Sequence, residues 1–268
     1  MLQISSDCTK CAKCVKVCPT SIIEMTDNGP LLKPERIKGC IKCGHCVSVC
    51  DKGALDHQLV PLANQESTDN VITSPEAVKA TMRSVRSIRN YRKTPVSKEL
   101  IADIADAARY VPTARNTQQV SYLAVLNPET VKLLADKTVD YFAEAIEAGE
   151  PWVRPYRGLV RVYRDKGYDI VFRGAPHVLI SVYPKSQYYG EDNARLGMVY
   201  ARLQASVHNI GTCWAGFFEM YAVAKPEEVA EILKIDADMR VGAAVMFGHP
   251  AFKYHRLVER EPLNISFI

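Results

Sequence analysis

The sequence predicts an α+β protein in two parts, a small cysteine-rich domain followed by a larger layered domain. Eight of the nine cysteines lie between residues 8 and 50. After Leu59 the polar stretch VPLANQESTDNVITSP, with proline near both ends, is typical of a linker. Beyond it, strand-like and helix-like patterns are mixed, as in an α+β layered domain. We therefore expect domains at residues 1–60 and 76–268, joined by a linker over 61–75.

Composition and charge exclude several classes of protein. The chain has 268 residues, of which 47% are hydrophobic and 24% charged, as in ordinary globular proteins. No apolar stretch approaches the ~20 residues of a membrane helix, and the start MLQISSD does not have the pattern of a signal peptide. A net charge of +4 gives only weak support for nucleic-acid binding. We expect a soluble, cytoplasmic protein that binds neither membrane nor nucleic acid.

The cysteines form two runs of the same spacing. The first is Cys8-x2-Cys11-x2-Cys14-x3-Cys18, and the second is Cys40-x2-Cys43-x2-Cys46-x3-Cys50. Each cysteine of the second run follows its counterpart by 32 residues, and the flanking text repeats as well (KCVKVC and HCVSVC). A repeat at a fixed offset indicates two copies of one small unit.

This spacing favours iron–sulfur clusters over the other uses of cysteine. Three cysteines within seven residues form a tight loop around a cluster, and the fourth ligand comes from the other run. Disulfides are rare in reduced compartments, and zinc sites favour two C-x2-C pairs with a longer spacer. A purely structural role for such clusters remains open.

Over about sixty residues this part resembles the bacterial two-cluster ferredoxins, with all eight ligand positions present. One departure is Asp51, where that family often has proline. The resemblance implies a ferredoxin-like domain with two [4Fe-4S] clusters. Its ligands would be Cys8, Cys11, Cys14 and Cys50 for one cluster, and Cys40, Cys43, Cys46 and Cys18 for the other.

The larger part shows alternating element types. Thr73 or Ser74 is expected to cap a first helix marked by Val78, Met82 and Val85, and Ser97 a second helix that stops at Pro112. Strands are predicted at 120–126, 177–183 and 241–247, and helices at 129–148 and 191–210. The last of these helices has apolar or small residues on two sides, which predicts a buried helix. Residues 149–176 have no clear pattern and are a candidate lid or partner contact.

Three short stretches of this part carry candidate binding groups. RSIRNYR (86–92) offers guanidinium groups and a hydroxyl for a phosphate, although arginines at this spacing are also typical of a solvated helix face. VPTARNTQQ (111–119) supplies amide side chains, or is merely a polar loop. GTCWAGFF (211–218) is interpreted as a helix C-cap followed by small residues, where Gly216 permits a flat ligand to approach the backbone. Cys213 and Trp214 are interpreted as core residues.

Together with APHVLI (175–180) and FGHPAFKYHR (247–256), these stretches resemble the nitroreductase family of FMN-dependent oxidoreductases. The resemblance covers nearly all of 76–268 and implies a nitroreductase-like, three-layer α+β domain. It also implies bound FMN and an obligate homodimer with the flavin at the subunit interface. The whole chain resembles the ferredoxin–nitroreductase fusions of anaerobic microbes.

The resemblance also implies roles for individual residues. Arg86, Ser87 and Arg89 would hold the FMN phosphate, ribityl chain and N1/O2 edge, and Arg256 would reach the phosphate from the C-terminal tail. Asn116 and Gln118 would contact the pyrimidine end, and the backbone N–H groups of Ala215 and Gly216 would face N5 and O4. No side chain is expected to be catalytic, since the chemistry belongs to N5. Val85 stands where the family frequently has an arginine, so phosphate binding would depend more on Arg256 or Lys253. Gln118-Gln119-Val120 replaces the family's Q-P-W stretch, which alters the wall near the flavin.

The combination predicts an oxidoreductase that passes electrons through two [4Fe-4S] clusters to FMN and on to a small organic acceptor, such as a nitroaromatic, a quinone-like compound or another conjugated electrophile. The tether between the domains raises their effective concentration for each other. The expected electron donor is a low-potential protein or NAD(P)H. Two alternatives stay open: an enzyme driven by NAD(P)H, with the clusters as an exit or store, and a non-catalytic electron carrier or redox sensor. No G-x-G-x-x-G stretch follows a predicted strand, which is weak evidence against the first.

Overall fold

The computed structural model describes residues 2–70 and 73–268. Its contacts divide the chain into two compact units. One unit contains the described residues up to Thr73 together with Thr113–Thr117, and the other contains Ser74–Pro112 and Gln118–Ile268. Residues 113–117 were predicted to lie in the second domain, so the division differs there. Residues 71 and 72 of the predicted linker lie outside the described residues.

The first unit is built from two copies of one pattern. Its elements are β1 (Leu2–Ile4), α1 (Lys13–Lys16), β2 (Ile23–Thr26), β3 (Gly29–Leu32), α2 (His45–Ser48) and β4 (Leu55–His57), with 3-10 turns at Pro34–Gly39, Leu62–Asn64, Thr68–Asn70 and Ala114–Asn116. Helix α2 and strand β4 begin 32 residues after α1 and β2. Left-handed backbone recurs at the same offset, at Lys10 and Lys42 and at Ala12 and Gly44. The predicted internal duplication is confirmed.

The two copies are interleaved by strand pairing. Strand β1 pairs antiparallel with β4, so that Leu2 lies opposite His57, while β2 and β3 form a hairpin. The apolar core is small: Val47 and Leu55 are almost fully buried and pack against cysteines of both runs. With so little apolar surface, a unit of this size ordinarily needs bound metal or a similar cross-link for stability.

The second unit contains one sheet and seven α-helices among its described residues. In chain order the elements are α3 (Pro75–Ser84), α4 (Lys98–Ala108), β5 (Ser121–Val125), α5 (Pro128–Glu147), α6 (Arg157–Lys166), β6 (His177–Pro184), α7 (Gly190–Val207), β7 (Gly211–Trp214), α8 (Gly216–Ala224), α9 (Pro226–Leu233) and β8 (Met239–Gly248), with a 3-10 turn at Pro151–Tyr156. All strand pairs are antiparallel, in the order β5-β6-β8-β7. In the described part of the chain, no helix is both long enough and apolar enough to cross a membrane.

The sheet is covered by helices on both faces. Alternate residues of β6 point to opposite sides, as the period of a strand requires. Val178 and Ile180 belong to the core shared with α5 and α8, whereas Leu179 packs with Ile104 of α4 and Met198 of α7. Each such fully buried side chain stabilises the fold by about 1.5–3 kcal/mol. The predicted three-layer α+β architecture is confirmed.

Two predicted helix caps are present. The Oγ of Ser74 accepts the Ala77 N–H at 3.0 Å at the start of α3, and the Oγ of Ser97 accepts the Leu100 N–H at 3.2 Å at the start of α4. Such caps satisfy N–H groups that the first turn of a helix leaves without partners. The two starting points of the helices therefore follow from the local sequence.

Helix α7 is buried on one side only, which corrects the prediction of two buried sides. The small residues Ala194, Ala201 and Ala205 are fully buried against the sheet and α4. The other predicted stripe (the open stripe) contains Leu196, Tyr200, Leu203, Val207 and Ile210. It is largely exposed along the helix, with Leu196 at 51% and Val207 at 61%, whereas Ile210 beyond the helix end is buried.

The stretch 149–176 contains core residues as well as exposed ones. Val153 in the 3-10 turn, Val171 and Phe172 are fully buried, and Leu159 of α6 is nearly so. Helix α6 packs on α5, where Tyr163 donates a 2.6 Å hydrogen bond to Asp136. These parts of the predicted lid are fixed in the fold.

Candidate functional site

A cavity of about 510 Å³ lies where the segment before α4 meets β7 and the chain after β8. Backbone hydrogen bonds hold the segment: the N–H of Ile88 donates to the Thr212 carbonyl at 3.0 Å, and the N–H of Arg92 donates to the His249 carbonyl at 2.8 Å. Gly211 permits this approach, because a Cβ there would lie 2.8 Å from Cγ2 of Ile88. The segment RSIRNYR is thus an additional strand-like edge beside β7.

Strand β7 itself corrects an element prediction. Gly211 was interpreted as the C-cap of the preceding helix, but it begins a strand over Gly211–Trp214 that pairs with β8, with Gly211 opposite Gly248 and Trp214 opposite Val245. The pairing of β7 with β8 outweighs the local preference of a glycine after a helix for a C-cap position. The strand places Thr212 on the wall of the cavity.

The cavity is lined by cationic side chains without acidic partners. Its described lining includes Arg86, Arg92, Arg202 and Lys253 and contains no Asp or Glu. A concave site lined by one sign of charge attracts ligands of the opposite sign. The lining therefore favours an anion.

Two of these arginines carry atoms that an anion would satisfy. The Nε of Arg86 is buried and has no hydrogen-bond partner in the described structure. The Nε of Arg202 donates to Oγ1 of Thr212 at 3.2 Å, and its guanidinium lies 4.9 Å from the ring of Trp214. Burial lowers the pKa of Arg202, because desolvation disfavours the charged form. A phosphate would supply the missing countercharge and the missing acceptor.

Arg202 was not among the predicted site residues. It lies in the last third of α7, 116 positions after Arg86, with no motif around it. Only the fold brings the two together, because the end of α7 runs beside β7. No local signal in the sequence points to this residue.

The predicted cofactor contacts occupy different places. Arg86 and Lys253 line the cavity, and Ser87 forms a bridge with Thr212 of β7. Arg89 is exposed, with a 3.5 Å contact from Nη1 to the Ser87 carbonyl. Arg256 is exposed on the tail after β8 and is not part of the cavity lining.

Asn116 belongs to the first unit, and its amide is engaged there. Nδ2 donates to the carbonyls of Ile41 and Lys42 at 2.9 and 3.0 Å, inside the second cysteine run. Asn116 and Gln118 both have left-handed backbone, with φ of 54° and 50°. Such a conformation is costly for residues other than glycine and marks a constrained loop.

Ala215 and Gly216 differ in their environment. The N–H of Ala215 donates to the Ala244 carbonyl at 2.9 Å, so it continues the β7–β8 ladder. Gly216 opens α8, is exposed, and has no atom within 4 Å of the position a Cβ would take. Of the two predicted N–H groups, that of Ala215 is engaged in the ladder, whereas Gly216 is exposed at a helix start.

A second cavity of about 660 Å³ in the same unit has a different character. Its lining is mainly apolar, with Leu126, Val131 and Pro176, and Lys93 and Asp169 bring both signs of charge. None of the predicted cofactor contacts is among its described lining residues. The cationic cavity is therefore the better match for a phosphate.

The eight cysteines of the two runs surround two further cavities in the first unit. Cys8, Cys11, Cys14 and Cys50 line one (the first set), and Cys18, Cys40, Cys43 and Cys46 line the other (the second set). Each set takes three members from one run and the fourth from the other. This is the grouping that a pair of cubane clusters requires.

The thiols of the two sets differ in their electrostatic surroundings. All nine cysteines are free of disulfides, and within residues 2–70 and 73–268 no group of three or more His, Cys, Asp or Glu side chains is arranged to hold a single metal ion. Burial raises the pKa of Cys46 to about 11 and raises that of Cys14, because desolvation disfavours the thiolate.

Comparison with protein families assigns both parts of the chain. The model of the nitroreductase family matches residues 82–249, and the model of a 4Fe-4S dicluster domain matches residues 7–55. The chain belongs to the nitroreductase family. It is an oxidoreductase of that family with a 4Fe-4S dicluster domain ahead of it, and the resemblance stated from the sequence is confirmed.

Solved structures support the fold of the second unit. A nitroreductase with bound FMN from Bacteroides fragilis is 18% identical, with a TM-score of 0.57 over 73% of this chain and 100% of that one. One from Desulfitobacterium hafniense, also with bound FMN, is 18% identical with a TM-score of 0.59 over the same shares. A BluB-like flavoprotein from Clostridium difficile is 17% identical, with a TM-score of 0.57 over 71% of this chain and 98% of that one. No curated protein matches the chain.

Proposed function

We propose that the chain is an FMN-dependent reductase that receives electrons through two [4Fe-4S] clusters and delivers them to a small conjugated electrophile. The observation that carries the proposal is the presence, on one chain, of two four-cysteine sets and a cationic cavity suited to a phosphate. The bound FMN of the similar structures supports the choice of cofactor. When bound, the clusters supply one-electron transfer, and the flavin supplies two-electron chemistry at N5.

The chain's own residues would bind and orient the flavin. Arg86, Arg202 and Lys253 would hold the phosphate, since they line the cavity without acidic partners. Ser87 and Arg89 follow Arg86 along the same segment and would contact the ribityl chain and the N1/O2 edge. The tail arginine Arg256 would add to the phosphate site.

The remaining predicted contacts concern the ring system. The N–H of Gly216 would face N5 and O4, because Gly216 is exposed at the start of α8 and the space where a side chain would stand is open. Asn116 has only Oδ1 left to accept from a pyrimidine N–H, since Nδ2 donates to Ile41 and Lys42. Gln118 is exposed and would complete that edge. No side chain is assigned as catalytic.

A homodimer with the flavin at the interface is part of the proposal. The open stripe of α7, including Leu196, is apolar and exposed. The tail after β8 is also rich in exposed apolar side chains, such as Phe252, Leu263 and Phe267. Exposed apolar patches of this kind are typical of surfaces that a second copy covers.

The test separates this proposal from its two alternatives. Anaerobic protein with FMN and iron–sulfur restored receives either NAD(P)H or a low-potential one-electron donor, while flavin absorbance near 450 nm (roughly the oxidised flavin band) is followed. We expect only the one-electron donor to bleach the flavin, and Cys43→Ala to abolish the response. The matched control Cys213→Ala removes the one cysteine outside both sets and should keep the iron content and the response.

Two results would contradict the proposal. Equal bleaching of wild type and Cys43→Ala by NAD(P)H would favour an enzyme driven by that nucleotide. Reduced flavin that is not reoxidised by nitroaromatics or quinones under turnover would favour a carrier or sensor. Both assays use the full-length chain.

A further inference from the structure

We propose that His57 makes the cluster of the second set the more easily reduced of the two, by a hydrogen bond to the sulfur of Cys40. The inference rests on the proposed function, because it needs both clusters bound to the cysteine sets. It adds a prediction of which cluster has the higher reduction potential. Two copies of the same ligand motif do not by themselves predict such a difference. Cys40 is one of the four thiols around the second cavity, and His57 lies in the wall of the same cavity.

The ring of His57 is held with one nitrogen toward the sulfur. His57 ends β4 and is only 2% exposed. Its Nε2 lies 3.7 Å from Sγ of Cys40, and its Nδ1 accepts the N–H of Leu59 at 3.1 Å. A ring nitrogen that accepts a hydrogen bond carries no proton, so the proton of the ring is on Nε2. The contact is therefore an N–H···S hydrogen bond.

The surrounding backbone fixes this orientation. Asp56 accepts the N–H groups of both His57 and Leu62, at 2.7 and 2.8 Å. Strand β4 pairs with β1, where His57 lies opposite Leu2. The ring is thus positioned by the strand and the turn that follows it, independently of the cysteine loop.

The first set has no equivalent of this donor. The residue 32 positions before His57 is Met25, which lies in the wall of the first cavity and has no hydrogen to donate. A second donor also favours the second set, because the Oγ1 of Thr20 lies 3.7 Å from Sγ of Cys18. The first set has the hydroxyl of Thr9 beside Cys11, on an exposed loop. The buried imidazole is the difference in buried side-chain donors, while among exposed lysines Lys10, Lys13 and Lys52 line the first cavity and Lys42 lines the second.

The sign of the effect follows from charge. Reduction adds a negative charge to a cluster, and hydrogen bonds to its sulfurs stabilise that charge and raise the reduction potential. A buried donor acts more strongly than an exposed one, because water neither screens it nor competes for it. The exposed lysines near both sets contribute less, since solvent and salt screen them. A single electron shared by the two clusters would therefore reside mainly at the second set.

The test is an anaerobic potentiometric titration of the full-length protein with both clusters and FMN, read by EPR of the reduced clusters. We expect two separate one-electron steps in wild type. In His57→Leu the higher of the two reduction potentials should fall by at least about 59 mV, which is a tenfold change in the equilibrium constant of a one-electron step. The lower reduction potential should stay unchanged. His57→Gln keeps an N–H donor and should restore part of the shift, and the matched control Met25→Leu should move neither step.

The outcomes separate this inference from the proposed function. Fewer than two clusters in wild type, by iron and sulfide analysis, would refute the proposed function itself. Two intact clusters with coincident potentials, or a shift of the lower step in His57→Leu, would overturn the role of His57. His45 also lies in the wall of the second cavity, so His45→Gln removes the other histidine whose label could couple to this cluster. If His57→Leu does not assemble both clusters, pulsed EPR of the ¹⁵N-histidine-labelled His45→Gln protein decides. Nitrogen coupling at the higher-potential cluster supports the hydrogen bond, and its absence refutes it.

Discussion

Replacing Arg202 by methionine tests the assignment of the cationic cavity most directly. Among the residues that the structure describes, Arg202 makes one hydrogen bond, to Thr212, and one cation–π contact, to Trp214, and no acidic side chain lines the cavity. Its charge is partly desolvated without compensation. Removal of this side chain should therefore affect the free protein and the flavin complex very differently.

The expected magnitudes follow from these contacts. Loss of the hydrogen bond costs about 1 kcal/mol, and loss of the cation–π contact costs about 0.5–2 kcal/mol. Relief of an unpaired, partly buried charge offsets these losses, so the free energy of unfolding without FMN should change by less than about 2 kcal/mol. A charge-assisted bond to phosphate contributes about 1.5–3 kcal/mol. Its loss should weaken FMN binding by roughly 10- to 150-fold.

The assay is titration of flavin-free protein with FMN, followed by flavin fluorescence, beside thermal unfolding of the flavin-free variants. Arg195→Met is the matched control. Arg195 lies two turns earlier on α7, also faces Trp214 at 6.0 Å, but is paired with Glu191 and Glu219 and is not part of the cavity lining. It should bind FMN as wild type does. An Arg202→Met protein that keeps its FMN affinity within threefold would refute the phosphate assignment.

Three further substitutions have distinct expected results. Gly211→Ala would place a Cβ 2.8 Å from the Ile88 side chain and should destabilise the protein by about 1–3 kcal/mol; an unchanged melting temperature would contradict the close packing at this point. Gly216→Ala meets no atom within 4 Å, so the flavin-free protein should keep its melting temperature while FMN affinity falls; equal affinity would remove Gly216 from the flavin contacts. Leu196→Glu should produce a monomer by light scattering with an unchanged circular dichroism spectrum, because it charges the open stripe of α7; a persistent dimer would place the interface elsewhere.

The parts of the fold that were predictable depend on local patterns. The duplication could be read from the cysteine spacing because each loop repeats its left-handed positions, Lys10 with Lys42 and Ala12 with Gly44. The start of α4 followed from the Ser97 cap and its apolar period. In both cases the residues that determine the structure are close together in the chain.

The parts that were missed depend on distant contacts. The GTCW stretch becomes β7 only because β8, some thirty residues later, offers a free edge. Helix α6 is mostly polar, and Leu159 and Tyr163 show its buried side only when α5 is in place. Arg202 joins the candidate site through the packing of α7 beside β7, which no short window of sequence reveals. Likewise, the sequence could not show that the side-chain amide of Asn116 donates to the carbonyls of Ile41 and Lys42.

The exchange of one cysteine between the two runs has a consequence for synthesis of the protein. A nascent chain that ends at Cys46 already carries every thiol of the second set, but the first set still lacks Cys50, although its other three members emerged first. Strand β4, which must pair with β1, also appears only after that point. The first set contains the cysteines that leave the ribosome earliest, but it gains its fourth cysteine only after the second set is complete. An iron–sulfur delivery system would meet them as an exposed, incomplete trio for the time needed to translate more than thirty residues.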